Sequence, residues 1–359
     1  MSDRQPFLSR GDRAENFCLP ALDGRLWAFY EGVRGFRNVL LFYDKNSDQN
    51  RKVLAEFTEV YEQLQKLKVD VFAISTETVG ANAKMAATAS LPFTLLSDAD
   101  REVVVAYSRM LGAQLQGPIC LLLDENQRIL EWFAPLGEAI GEDNRTLAER
   151  AIAFFRAEAP DENVLLLEKV APVLVVPNVL DHPSCEALID RWEAHGHEEG
   201  VVHSRVDGEE GAYGDDSAKK RQDHIVDDNV LHDRLSAIIG RRIAPELYKA
   251  FYLKQFRFSR FIIACYDAEQ GSYFRTHRDN SAPQTRDRVF ALTLNLNNEY
   301  EGGGVRFPEY GPSLYKPRTG GAILFSCSHL HEATPVTKGR RFVLINQLRD
   351  PDGSVVGQD

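Results

Sequence analysis

Two histidines and an aspartate set the chemistry open to this chain. His277-Arg278-Asp279 forms one tripeptide; His331 comes further along, and Arg341 stands ten positions beyond it. In an extended chain, side chains at i and i+2 share a face. His277 and Asp279 can therefore grip one metal ion from one strand end while a histidine from a second strand closes the triangle. Two imidazoles and one carboxylate suit mononuclear Fe(II) and leave three adjacent positions open. Those positions can take a bidentate keto acid and then dioxygen. A downstream arginine such as Arg341 can hold the far carboxylate of that acid through a two-pronged charged hydrogen bond. His329 lies two residues before His331 and rivals it as the third ligand.

A chain of 359 residues is too long for one ordinary core and implies about two domains. The first half, residues 1–158, alternates buried-strand runs (Val39 to Tyr43, Val69 to Ser75) with an amphipathic helix. On that helix Val53, Leu54, Phe57, Val60, Tyr61, Leu64 and Leu67 recur at helical spacing. This pattern predicts an α/β domain with a parallel sheet. A polar break, residues 159–168, serves as the linker. In the second half, residues 169–359, a strand from Pro172 to Pro177 and a helix from His182 to Ala194 lead into short alternating strands from Phe256 onward. That rhythm predicts an antiparallel sandwich or barrel. In the strand Val289 to Asn297, Phe290, Leu292, Leu294 and Leu296 line one face and Val289, Ala291, Thr293, Asn295 and Asn297 the other; one face packs and the other can line a wet pocket. The charged, Gly-rich stretch Ser204 to Asp223 has neither period and reads as a loop, a candidate lid.

Composition narrows the class further. No run reaches the eighteen or so apolar residues of a membrane span, and the opening residues lack a signal-peptide layout, so the expectation is a cytoplasmic protein without membrane contact. A net charge of −11 argues against a nucleic-acid partner. The five cysteines (Cys18, Cys120, Cys185, Cys265, Cys327) are scattered and never in Cys-x-x-Cys spacing, so buried free thiols are expected rather than a disulfide framework or zinc ribbon.

Two resemblances sharpen this. Gly11 to Pro20, Asp23-Gly24, the strand ending Phe42-Tyr43 and Pro92 to Asp98 resemble the peroxiredoxin family, which implies a thioredoxin-like fold. The family's peroxidatic cysteine and the threonine three positions before it are here Asn50 and Ser47, and Pro118 occupies the alignment position of the supporting arginine. In thioredoxin-like relatives that proline is cis. An amide cannot attack peroxide. The roles left to this half are packing, homodimer formation or substrate presentation.

Tyr266 to Asp279, then Tyr300 to Pro308, then His331 to Arg341 resemble the 2-oxoglutarate and Fe(II)-dependent dioxygenases of the prolyl 4-hydroxylase type. The resemblance implies a double-stranded β-helix (jelly roll) with flanking helices. His277, Asp279 and His331 become the iron ligands and Arg341, rather than Arg340, the anchor for 2-oxoglutarate. Tyr266 is a candidate hydroxyl for the same carboxylate, and Thr293 and Asn295 are candidate lumen contacts. The implied reaction consumes dioxygen and 2-oxoglutarate, with L-ascorbate as an accessory reductant. It hydroxylates a C–H bond of a peptidyl proline, an amino acid or a small metabolite, releasing succinate and carbon dioxide. Two other classes stand beside it: a thiol peroxidase or redox relay through Cys18 or Cys120, and a non-catalytic binding or sensing protein.

Overall fold

The computed structural model describes residues 7–33, 35–45, 47–112, 117–133, 145–158, 169–199, 202–206, 209–213 and 219–352. The chain divides into two compact units, Met1–Val164 and Leu165–Asp359. The expected linker, 159–168, lies outside the described residues.

In the first unit a five-stranded sheet runs in the order Thr94–Ser97, Val69–Ser75, Arg37–Tyr43, Ile119–Leu123, Ile129–Phe133. Arg37–Tyr43 is buried along its whole length, as its unbroken apolar run demands of a central strand. It pairs in parallel with Val69–Ser75 but antiparallel with Ile119–Leu123. The sheet is thus mixed, not parallel as the sequence predicts. The last two strands are joined by a tight turn in which Gln127 N–H donates to the Asp124 carbonyl at 3.0 Å, and a connection that short can only reverse the chain. The helix Asp48–Lys66 buries Leu54, Phe57 and Leu64 against the sheet. Its N-cap is Ser47, whose hydroxyl accepts from the Asn50 N–H at 3.2 Å.

The second unit is a sandwich of two antiparallel sheets. The larger runs Leu174–Val176, Ala322–Ser326, Arg288–Asn295, Val336–Arg349, Ile262–Asp267, Gln222–Ile225, Glu198–Glu199. The smaller runs Lys219–Lys220, Tyr273–His277, His331–Ala333, Val305–Arg306, Leu314–Tyr315. Alternation along the long strands does the sorting. Leu292, Leu294, Phe342 and Leu344 pack outward onto two helices, His182–His195 and Asn229–Phe251. Ala291, Thr293, Arg341, Val343 and Ile345 face inward, toward Val305 and His331 of the smaller sheet. The result is a jelly roll with helices on one outer face and a lumen between the sheets. The helix Asn229–Phe251 has no counterpart in the sequence reading. Its buried face mixes Leu235, Ile239, Ile243 and Leu247 with the charged Arg242 and Glu246, and Pro245 lies inside it.

The stretch Ser204 to Asp223 is not a loop. Among its described residues, Val202–Val206 and Glu209–Tyr213 form a hairpin, Lys219–Lys220 joins the smaller sheet and Gln222–Ile225 the larger. Strands this short are held by their partners and carry too few residues to show a period of their own.

Candidate metal centre

The antiparallel pairing of Tyr273–His277 with His331–Ala333 sets His277 opposite His331, with ring centroids 4.3 Å apart. Asp279 is not on the strand. It lies in the turn that follows, fixed where its N–H donates to the Cys327 carbonyl at 3.0 Å. One ligand atom from each of the three side chains falls within 4.8 Å of the others. His329 is excluded from this group. Its N–H closes a turn onto the Ser326 carbonyl, before the strand begins, so strand alternation does not govern it, and its ring stands against Tyr310.

The imidazoles are oriented from behind. His277 Nδ1 lies 2.7 Å from the Arg275 carbonyl and His331 Nδ1 3.0 Å from the His329 carbonyl. A carbonyl only accepts, so each Nδ1 carries the proton and each Nε2 presents a lone pair to the centre. Stacking of Phe274 on His277 and of Phe325 edge-on to His331 fixes the ring planes. His277 Nε2 is buried without a hydrogen-bond partner and faces Asp279 Oδ1 at 3.3 Å; His331 Nε2 lies 3.9 Å from Oδ2. With neutral imidazoles these are acceptors facing acceptors, a cluster that a cation among them would satisfy. Burial presses His331 below the ordinary imidazole range, which favours the neutral ligand form. Burial also pushes the Asp279 carboxyl up, but the hydrogen bond that His277 and the positive charge that His331 and His277 offer once the imidazoles take up protons, together with Arg288, outweigh it and hold the carboxyl at about 2. The residues present fit a divalent ion.

The lumen next to the three ligands is lined by Tyr266, Thr293, Val343, Phe325, Arg221 and Arg341. Arg341 is 1 % exposed and has no carboxylate partner among the described residues. One Nη donates to Asn295 Oδ1 at 3.2 Å, Nε is buried and unpartnered, and the Tyr300 hydroxyl lies within hydrogen-bonding reach. Arg340 instead points outward, pairing with Glu193 of the covering helix at 2.9 Å. Asn295 is beside the site but not in it. Its amide donates to the Tyr300 hydroxyl (3.0 Å) and the Pro317 carbonyl (2.7 Å) while its oxygen holds Arg341, so it positions the arginine. Tyr266 lies with its ring 5.5 Å from the Arg341 guanidinium, and its hydroxyl accepts from Arg221 Nη1 at 2.9 Å.

Arg221, Asp223 and Lys219 are site residues that the sequence reading passed over. Arg221 forks onto Asp223 at 2.7 and 3.1 Å, and Lys219 reaches the same carboxylate at 3.0 Å. Burial and the neighbouring Arg221 charge press Lys219 down to about 8. Their signal was the period of two, with residues 219, 221 and 223 all charged, inside a stretch taken for a loop.

Gly303 explains the Gly302-Gly303-Gly304 run. Its φ of +66° suits glycine, and a Cβ there would stand 2.8 Å from Val336 Cγ2 and 3.1 Å from Arg341 Cδ. Gly303→Ala is expected to shift Arg341 and raise the KM for 2-oxoglutarate about tenfold with a smaller change in kcat, since one charged hydrogen bond is worth about 1.5–3 kcal/mol. Steady-state kinetics in the co-substrate would check this.

In the first unit, the nucleophile position is held shut. Asn50 is buried in the first turn of its helix, its amide donating to the Lys45 carbonyl at 2.6 Å. The Gly117-Pro118 bond is trans; no cis peptide occurs among the described residues, so the cis geometry that the resemblance suggests is not present. Cys120 is fully buried, which pushes its thiol up to about 12. Cys18, expected in the core, is exposed, because its short strand pairs on one side only and turns the thiol outward. Cys185, Cys265 and Cys327 are buried and free. Native-state thiol titration should therefore modify Cys18 alone and unfolding release all five thiols; a second fast-reacting thiol in the native protein would contradict the burial pattern.

Comparison with known proteins agrees with both halves. Residues 10–132 match the AhpC/TSA family and residues 261–348 the 2OG-Fe(II) oxygenase superfamily. The chain thus carries an N-terminal AhpC/TSA thioredoxin-like domain and a C-terminal 2OG-Fe(II) oxygenase domain. Over 197 residues it is 29 % identical to human procollagen-lysine,2-oxoglutarate 5-dioxygenase 2, an alignment that covers 52 % of this chain and 25 % of that protein. The chain spans about a quarter of the length of that relative. Among solved structures, a peroxidoxin from Mycobacterium tuberculosis is 21 % identical, with 42 % of this chain and 97 % of that one covered and a TM-score of 0.35. A viral collagen prolyl hydroxylase from Paramecium bursaria Chlorella virus-1 is 18 % identical, with 49 % and 95 % covered and a TM-score of 0.36.

Proposed function

We propose that the second unit is a 2-oxoglutarate-dependent Fe(II) hydroxylase. The observation that carries the reading is Arg341: a buried guanidinium without a carboxylate partner among the described residues, opening on the same lumen as two histidines and an aspartate within 4.8 Å of one another. A buried cation needs an anion, and a keto acid bound at the three ligands would bring one. His277, Asp279 and His331 would hold the iron, two through neutral imidazoles and one through an ionised carboxylate. When bound, iron and co-substrate supply the oxidation: one atom of dioxygen ends in succinate as carbon dioxide leaves, and the other enters a substrate C–H bond.

The protein's share is placement. Asn295 and Tyr300 aim Arg341 at the distal carboxylate, Phe274 and Phe325 hold the imidazoles, and the apolar wall of Ala291, Val305, Val343 and Ile345 keeps water from the reacting atoms. The substrate class is a peptidyl residue, an amino acid or a small metabolite. The human relative is named for a lysine of procollagen, which makes a peptidyl lysine a member of the test panel beside a peptidyl proline. The test is succinate release by the purified protein with Fe(II), 2-oxoglutarate, oxygen and L-ascorbate, alone and with pooled peptides and metabolites. Iron-dependent succinate supports the hydroxylase. Iron bound with no succinate under any condition would leave a binding or sensing protein.

A further inference from the structure

Outside the ligands lies a groove of about 650 Å³ that shares Arg221, Phe274, His277, Asp279 and Gln347 with the inner lumen. It opens onto the ligands His277 and Asp279 from the outer side. The cations on its floor are not equally answered. Arg221 is clamped onto Asp223. Arg288 has no ion pair among the described residues. Its Nη1 donates to the Asp279 backbone carbonyl at 3.3 Å, its Nε is buried without a partner, and the adjacent Asp287 is taken by Arg349 at 2.7 Å. Asp279 lends Arg288 its charge at a distance, but its carboxylate faces the imidazoles and makes no ion pair with the guanidinium; Asp223 is committed to Arg221, and Glu198, Glu199 and Asp227 stand exposed.

Two guanidiniums without an ion pair among the described residues therefore flank the ligands, Arg341 on the lumen side and Arg288 on the groove side. We propose that Arg288 binds a carboxylate of the substrate, so that the groove selects molecules carrying an anionic group beside the C–H bond presented to the metal centre. This rests on the hydroxylase reading above and narrows it. A lysyl ammonium at that depth would meet Arg288 and Lys219, both lining the groove, and like charges in a half-buried site repel. A carboxylate there meets a planar fork of donors.

The test uses matched probes on the full chain: N-acetyl-L-proline and N-acetyl-L-glutamate against their carboxamides, with N-acetyl-L-lysinamide as the cation. Binding is measured by calorimetry with Zn(II) in place of iron and saturating 2-oxoglutarate, so that Arg341 is already occupied. Wild type should bind the carboxylates about tenfold to a hundredfold tighter than the amides, the range for a charged hydrogen bond. Arg288→Gln should bring each pair within about threefold, and Arg288→Lys should recover part of the preference. Equal binding of acid and amide by wild type, a preference that survives in Arg288→Gln, or tighter binding of the lysinamide overturns the proposal. Succinate release with Fe(II) is read separately on wild type. Its absence counts against the hydroxylase reading, whereas the binding preference is judged without turnover.

Discussion

In His277→Ala and Asp279→Ala, iron-dependent succinate release falls to about 1 % of wild type or less. Loss of a group that merely orients a metal ligand costs about 10–100-fold, and loss of the ligand itself exceeds that. The ligands are the direct handle on this centre, because the hydrogen-bond acceptors behind both imidazoles are the backbone carbonyls of Arg275 and His329, which no substitution removes. Equilibrium dialysis with Fe(II) would separate ligand loss from misfolding: both variants should fold and fail to retain iron. His329→Ala is the control, since its ring lies against Tyr310 and only its backbone serves the site; it should keep iron and turnover within about twofold. Iron retention in His277→Ala together with loss in His329→Ala would overturn the ligand set.

The pH dependence of iron binding follows from the same geometry. Asp279, held at about 2, is ionised throughout the range in which imidazoles take up protons. Metal loss on acidification therefore tracks protonation of the histidines and not of the carboxylate. Burial lowers His331 from the usual imidazole value of about 6.5, so that ligand stays available to lower pH than a solvent-exposed histidine would.

What was legible in the sequence divides along physical lines. His277, Asp279 and His331 could be read as a candidate metal-binding set, and Arg341 as its neighbour, because such chemistry needs fixed residue types in a fixed order. Strand alternation then put Thr293 in the lumen and Arg341 inside with Arg340 out, as the structure has them. The period-2 rule failed where the chain leaves the ladder: Asp279 sits in a turn and His329 in another, so neither position followed from i, i+2 counting. The rule was also silent on Lys219–Lys220 and Gln222–Ile225, strands whose existence depends on partners distant in sequence. Arg288 was invisible for a further reason. The role proposed for it rests on its having no ion pair among the described residues, and that can be known only once Asp287 is seen to be paired with Arg349. In the first unit the replaced nucleophile could be read from Asn50 alone, whereas the exposure of Cys18 depends on which side of its short hairpin faces the core.

Arg341→Gln raises the KM for 2-oxoglutarate on the order of a hundredfold while kcat at saturating co-substrate changes much less. Loss of a two-pronged charged hydrogen bond costs about 3 kcal/mol, and every 1.4 kcal/mol is tenfold. The distal carboxylate is remote from the reacting atoms, so its anchor acts on binding rather than on the chemical step. Arg341→Lys should fall between, because an ammonium keeps the charge and loses the fork. Asn295→Ala should raise the KM by a smaller factor, since Tyr300 still supports the guanidinium. A stability measurement gives an independent reading. A guanidinium buried at 1 % exposure without a carboxylate destabilises the protein that contains it, and an anion brought by the co-substrate removes that cost. Arg341→Gln should therefore unfold at no lower temperature than wild type in the absence of 2-oxoglutarate. Wild type should gain thermal stability as the keto acid is added with Zn(II), by the logarithm of its saturation, and the variant should gain little over the same concentrations. A variant that is strongly destabilised yet still stabilised by 2-oxoglutarate would mean that Arg341 is a structural residue and that the keto acid is anchored elsewhere.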